Sequence, residues 1–440
     1  MTGLFDANTS SWIVEAPPDT PAPPLAKDLE VDVAIIGGGF TGVSTAYHLS
    51  RRFPNLGIAL LEATQLGNGA SGRNGGLVLN GITVKDVDPS LVAREHAITR
   101  QAIDDIEALI RDHQLPVRFR RTGCVHLATT ARAAEEAEAF IAQLAPHGLP
   151  LQYLQGAALA SMLTAQHVHG AIFDPTEASI AGVDLVRAMR PLLVRQGVHI
   201  FEGTHVTRIR EGATCALVTP GGTVRAKAIV LATSGYTMHL GYFKTGLLPV
   251  ISHVVATAPV EPAILERTGL GRVAGFFDDS PRLAYGAVDP AGRVIFGGGS
   301  TSAYAYRFGN VTRYDARPDD TGAHAVRASL DRYFPELAGV ATQHRWSGPL
   351  DLTLVRHCAI GVMGEHRNIF YGVGYSGHGI TLANLAGKVI TDLYAGDHDR
   401  WKDAAFYMRR PGGIPREPLR WLGYHLYTRL TGKSPFKRLD

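Results

Sequence analysis

The stretch VDVAIIGGGFTGVSTAYHLSRRFPNLGIALLEA, Val31 to Ala63, decides the fold. Val31 to Ile36 is a β-branched, continuously apolar run, the pattern of a parallel strand buried on both faces. A glycine turn follows, then a helix expected from Thr41 to Arg52. Pro54-Asn55-Leu56-Gly57 breaks the chain, and Gly57 to Glu62 reads as a second buried strand. That is a βαβ unit. Its turn, Gly37-Gly38-Gly39-Phe40-Thr41-Gly42, satisfies G-x-G-x-x-G, and Glu62 stands 20 residues beyond Gly42 at the end of the next strand. Gly37 makes the tight turn, Gly39 lets the backbone approach a pyrophosphate, and Gly42 lets helix and strand pack closely. The helix start offers free N–H groups and a positive dipole end to the phosphates. Glu62 can accept hydrogen bonds from a ribose. The spacing predicts a dinucleotide site.

A second glycine-rich loop follows at once: Gly67-Asn68-Gly69-Ala70-Ser71-Gly72-Arg73-Asn74-Gly75-Gly76, then Leu77. It suits a longer cofactor that runs inward to a buried ring. Ser71 and Arg73 are expected at phosphate, and Asn74 to Gly76 beneath an isoalloxazine.

The rest of the chain bounds the answer. It has 440 residues, 45% hydrophobic and 19% charged, which is globular composition. The net charge is +3, without the basic stripe that nucleic acid requires. Trp401 to Asp440 carries nine Lys/Arg against three Asp/Glu. This basic, aromatic tail is a candidate for weak contact with a membrane surface. Cys124, Cys215 and Cys358 are scattered and odd in number, so neither a disulfide framework nor a metal site is expected. Met1 to Ser11 has no basic or apolar leader pattern, and no apolar run is long enough to span a bilayer. A cytoplasmic location is the expectation. The oligomeric state is not legible.

Further along, helices are expected at Pro89–Asp112, Ala131–Leu144, Val183–Gln196, Asp319–Phe334 and Ile380–Tyr394. Ala171 to Gly182 reads as a loop. Val206 to Ala226 reads as a small meander, Ala228 to Ala232 as a buried strand, and Leu248 to Ser300 as sheet-rich. Residues 1–27 read as a Pro-rich arm.

VAIIGGGFTGVSTAYHL, LLEA, GNGASGRNGG, IVLATSGY and GVGYSGHGITLANLAGKVI together resemble the FAD-dependent D-amino-acid oxidase/glycine oxidase superfamily. The GASGRNGG loop is most like the γ-glutamylputrescine-oxidase-like amine oxidases. The resemblance implies an α/β plus α+β fold: a Rossmann-type FAD-binding domain of the glutathione-reductase-like kind with an inserted antiparallel-sheet substrate domain. The expected boundaries are 28–112, 166–245 and 346–396 for the FAD domain, 113–165 and 246–345 for the substrate domain, and 397–440 for the tail. It implies that Gly37, Gly39, Phe40, Thr41, Gly42 and Glu62 bind the ADP half, and that Ala70, Ser71, Arg73, Asn74, Gly75, Gly76 and Leu77 line the path to the flavin. Val206 would contact adenine, Ser234 and Gly235 would flank the cofactor, and Gly374, Gly377, His378, Gly379 and Ile380 would close over the pyrimidine ring beside Gly348. Places where some relatives tether FAD through His or Cys hold Asn74 and Gly348, and Cys358 lies ten residues past Gly348. Non-covalent FAD is therefore expected.

The implied reaction oxidises a small-molecule primary or secondary amine, or an amino acid, to an imine by hydride transfer to flavin N5, with O2 as acceptor. Val294 to Gly299 holds none of the lysines that relatives use toward O2, which leaves a dehydrogenase with another acceptor as the alternative. Tyr375, His378 and His253 are the catalytic candidates, and Tyr285, Arg282 and Phe296 the substrate candidates. Gly374-Tyr375-Ser376-Gly377-His378 also approaches a nucleophile elbow, but His stands where G-x-S-x-G needs Gly. A serine hydrolase at Ser376 is the reading from another class.

Overall fold

The computed structural model describes residues 8–81, 88–309 and 319–433. Among them, Leu29–Ile36 forms the middle of an eight-stranded sheet. Ile58–Leu61 and Gly222–Leu231 flank it, both parallel, with Ile35 opposite Leu60 on one side and Val230 on the other. His199–Phe201 extends one edge, and the antiparallel pair Arg208–Arg210 and Cys215–Thr219 extends the other. Ile369–Val373 pairs parallel to Gly222–Leu231 and carries Ala359–Met363. Val33, Ala34 and Ile35 are wholly buried, because both faces of this strand are covered. Val33 and Ile35 pack against the helices Phe40–Arg52, Gly182–Arg195 and Gly379–Tyr394. Ala34 and Ile36 pack against Val206, Leu217 and Met238 on the opposite face.

A nine-stranded, mostly antiparallel sheet forms the second layer. Leu248–Thr257 pairs there with the long strand Thr342–Leu352 and with Val294–Gly298. Ala284–Val288, Gly275–Asp278, Cys124–Ala128 and Gly170–Asp174 continue it. A small third sheet, Leu77–Val78, Ala178–Ile180 and Phe119–Arg120, joins the second glycine loop to this half.

The expected helices are present within a residue or two of their predicted ends. The stretch 171–182 differs. It is two strands, Gly170–Asp174 and Ala178–Ile180, not a loop. Its turn residues Asp174, Thr176 and Glu177 looked loop-like, yet they serve a buried hydrogen-bond network. Strand Gly170–Asp174, placed with the FAD domain by the boundary at 166, pairs with Cys124–Ala128 in the second sheet. The amino-terminal arm is not a free linker either. Asn8 exchanges two hydrogen bonds with the Ser347 backbone, at 3.0 and 2.7 Å. Trp12 donates from its ring to the Asn74 carbonyl at 2.9 Å, and Leu25 is buried against the sheet.

The basic tail is tied down at Trp401, whose ring N–H donates to Asp392 at 2.7 Å. Further on it forms the helix Leu419–Thr431. Arg420 and Tyr424 face the protein, while Leu419, Leu422, Leu426 and Leu430 face outward. No described helix is long and apolar enough to cross a membrane.

A Cβ on Gly42 would lie 1.9 Å from the Gly37 carbonyl oxygen, so helix and strand meet only through glycine. Gly42→Val is therefore expected to cost at least about 1–3 kcal/mol, read as a lowered urea midpoint. Stability equal to the parent would contradict this packing.

Candidate functional site

The strand Leu29–Ile36 ends in Gly37, whose φ of +107° turns the chain; a Cβ there would strike the Ala232 carbonyl at 2.5 Å. Gly39 caps the helix Phe40–Arg52 without any side-chain cap. A Cβ on Gly39 would meet only Ser71, at 2.8 Å from Oγ, and otherwise open space. That space is a cavity of about 1610 Å³ running between the two sheets. A single drug-sized ligand fills roughly 300–1,000 Å³. The volume suits a dinucleotide with a small substrate beyond it.

The turn is held by the segments around it. Gly38 N–H donates to the Glu62 carboxylate at 2.8 Å, and Thr64 N–H donates to the other oxygen at 2.9 Å. Burial raises the Glu62 pKa despite these N–H donors. Phe40 N–H donates to Ser71 Oγ at 3.0 Å. The Tyr375 and Thr41 hydroxyls share a hydrogen bond of 2.7 Å. Asn74 braces its own loop, donating to the Ala70 and Ser71 carbonyls and accepting from Gly76 N–H at 2.9 Å. Arg73 is buried, with its Nε on the Asn68 carbonyl at 2.7 Å.

The structure brings most sequence-predicted residues onto this one cavity. Gly37, Gly39, Phe40, Thr41, Glu62, Ala70, Ser71, Arg73, Asn74, Gly75, Leu77, Val206, Ser234, Gly348, Tyr375, Gly377, His378, Gly379, Ile380 and Tyr285 all line it. The remaining glycines stand behind the wall. Gly42 packs on Gly37, Gly76 on Trp12, and Gly235 near Pro349, while Gly374 N–H donates to Asp351 at 2.7 Å.

Three candidates are corrected. His253 is fully buried in the second sheet, with Nδ1 on the Ala303 carbonyl at 3.1 Å and Nε2 beside Asp319 at the start of helix Asp320–Tyr333. Burial lowers its pKa. It is a core histidine that steadies a helix. Phe296 is buried among Phe276 and Tyr333 and is a packing residue. Arg282 is exposed and off the cavity, so it cannot clamp a substrate there. Tyr375 reaches the cavity, but burial raises its phenol well above 10 and its hydroxyl is committed to Thr41. It ties the loop before helix Gly379–Tyr394 to helix Phe40–Arg52. Ser376, at φ +51°, donates to the Gly374 carbonyl at 3.1 Å and accepts from Thr353 N–H at 3.2 Å. Both bonds go to backbone, and among the described residues no base hydrogen-bonds to its hydroxyl, which removes the hydrolase reading.

Several cavity residues were not singled out from the sequence. Asp351 ends the long strand Thr342–Leu352, buried, and accepts from Gly374 N–H and the Ser234 hydroxyl. Burial pushes its carboxyl up to about 6. Asn80 and His126 also line the wall. Asn80 sits three residues past Leu77, where the quoted loop stops, and His126 reads as one more strand residue in Cys124–Ala128.

A family model described as FAD dependent oxidoreductase matches residues 32–393. The chain belongs to that family. It binds FAD, and the glycine turn, the second loop and the Gly377–Ile380 segment all line the cavity described above. The chain is 27% identical to the gamma-glutamylputrescine oxidoreductase of Escherichia coli strain K12, over 97% of this chain and 98% of that one. It is 24% identical to the glycine oxidase of Geobacillus kaustophilus, over 86% and 97%. The crystal structure of that glycine oxidase superposes with a TM-score of 0.74 over 88% of this chain and all of the other. L-proline dehydrogenase from P. horikoshii superposes at 0.71, with 19% identity, over 85% and 95%.

Gly39→Val should fold but lose FAD, because its side chain fills the cradle rather than the core. Flavin absorbance of the purified variant reads this, and full retention would contradict the assignment. In the FAD-loaded protein the visible spectrum should titrate with a midpoint near pH 6, as Asp351 goes from neutral below to charged above. Asp351→Asn should abolish that step; an unchanged step would place its origin elsewhere.

Proposed function

We propose that this enzyme oxidises the C–N bond of a small primary or secondary amine to an imine, which water then hydrolyses. The observation that carries this reading is the extension of the cavity past the FAD-holding loops. It continues over Leu127, Phe140, Ile172, Phe277 and Tyr285, an apolar chamber on the second sheet. FAD, when bound, supplies a hydride acceptor at N5. The chain's own work is to exclude water, orient the α C–H and favour the neutral amine. Tyr285 supports orientation, since its ring presses on the backbone of Gly75. Its hydroxyl is 3.3 Å from Ser252, and burial raises its pKa, so it acts as a neutral wall. The names of the relatives support the substrate class, one acting on a putrescine derivative and one on glycine.

O2 is the proposed electron acceptor, with H2O2 as product. A dehydrogenase is the second reading. Val294–Gly298 holds no lysine, and its Phe296 side chain is turned into the core.

Anaerobic mixing with a panel of polyamines, N-methyl amino acids and D-amino acids should bleach the flavin with amines. Admitting air should then restore the yellow colour and release peroxide. Bleaching without peroxide would assign a dehydrogenase, and no bleaching by any member would overturn the proposal. Acid precipitation of the loaded protein should leave FAD in the supernatant; flavin in the pellet would show a covalent bond.

A further inference from the structure

One carboxylate organises the wall of the chamber. Glu177 is fully buried, in the turn before strand Ala178–Ile180. Its Oε2 lies 2.7 Å from His126 Nε2, and its Oε1 accepts from Asn80 N–H at 2.8 Å. Asn80 and His126 therefore converge on a single group, although one belongs to the cofactor loop and the other to the second sheet. Both line the cavity.

Each of them presents an acceptor with no use inside the fold. A carboxylate can only accept, so Glu177 fixes the proton of neutral His126 on Nε2 and leaves the lone pair on Nδ1. Nδ1 has no hydrogen-bond partner among the described residues. The Asn80 side chain donates through Nδ2 to Asp174 at 2.7 Å and to Thr176 at 2.9 Å. The Asp174 carboxylate thereby decides which way the amide points. Asn80 Oδ1 is left buried without a partner among the described residues. A buried acceptor left unmade costs roughly 1–3 kcal/mol, so a donor is missing from the picture. An ammonium or amine N–H is such a donor.

We infer that Asn80 Oδ1 and His126 Nδ1 together hold the nitrogen of the substrate amine, and that His126 takes its proton while Glu177 balances the imidazolium charge. This rests on the amine-oxidising reading. The step is a proton transfer alone. An N–H bond of the ammonium breaks, an N–H bond forms on Nδ1, and the electron pair stays on the amine nitrogen. The charges facing His126 agree with the role. Burial works against its cation, but Glu177, with Asp174 behind it, outweighs burial and raises its pKa. That narrows the gap to an ammonium. Asp174 is in turn held by His96 at 2.9 Å. Burial and the nearby His126 lower the pKa of His378, and the Phe277 ring lies tilted against the His126 imidazole with centroids 4.2 Å apart.

The test uses FAD-loaded full-length protein and butylamine, followed by the flavin difference spectrum, with butan-1-ol as the uncharged control. Wild type should bind butylamine at pH 8. His126→Gln should bind it about 100-fold more weakly, and its affinity should recover about tenfold per pH unit toward pH 10, where the amine sheds its own proton. Asn80→Leu should weaken butylamine at every pH, and by more than it weakens butan-1-ol, whose O–H is an uncharged donor. In ¹³C-histidine spectra, the resonance missing from His126→Gln should titrate at lower pH in Glu177→Gln by about one unit. A merely structural role would give none of these pH signatures. The inference is overturned if wild type shows no butylamine response, if His126→Gln and Asn80→Leu bind as wild type, or if the His126 titration ignores Glu177→Gln. It is also overturned if amines bleach wild type and His126→Gln with one pH profile, and in that case the proposed function survives.

Discussion

Three positions of one turn hold the site together. Gly38 is bound by Glu62, Phe40 by Ser71 and Thr41 by Tyr375. Each partner comes from a different segment: the second strand, the second glycine loop and the last flavin-side loop. The turn can receive all three because Gly42 lets its helix lie against Gly37. The closing helix repeats the device at Gly387, where a Cβ would lie 2.3 Å from Ser44 Oγ. The cradle is thus a backbone object. Side chains arrive to orient it, and few contribute charge of their own.

This explains what was legible. Glycine spacing, a buried strand on each side and an acid after the second strand are short-range features, and each has one physical meaning in that order. So Val31 to Ala63 and the loop at Gly67–Gly76 announce the cofactor. The chamber wall is different. Asn80, His126, Glu177 and Asp351 come from four separate stretches, and only the pairing of Cys124–Ala128 with Gly170–Asp174 brings the middle two together. Asp-Pro-Thr-Glu at 174–177 carries the composition of a solvent turn, which is why it read as loop. His253 shows the converse. A histidine alternating with apolar residues has two meanings, and the helix start at Asp319 made it structural.

Acids held by backbone amides are the second theme. Glu62, Asp351 and Glu177 are all raised by burial, and each accepts at least one backbone N–H. Removing carboxylates from water is costly unless donors meet them. Here the donors are amides of the very loops that shape the cavity. The acids therefore fix the geometry of those loops.

The central claim is that the turn at Gly37–Gly42 grips a diphosphate. Competition for FAD rebinding to the apoprotein tests it most directly. The account predicts that ADP displaces FAD competitively and that riboflavin, which lacks phosphate, does not bind at comparable concentration. Riboflavin binding as tightly as FAD, with no competition from ADP, would contradict it.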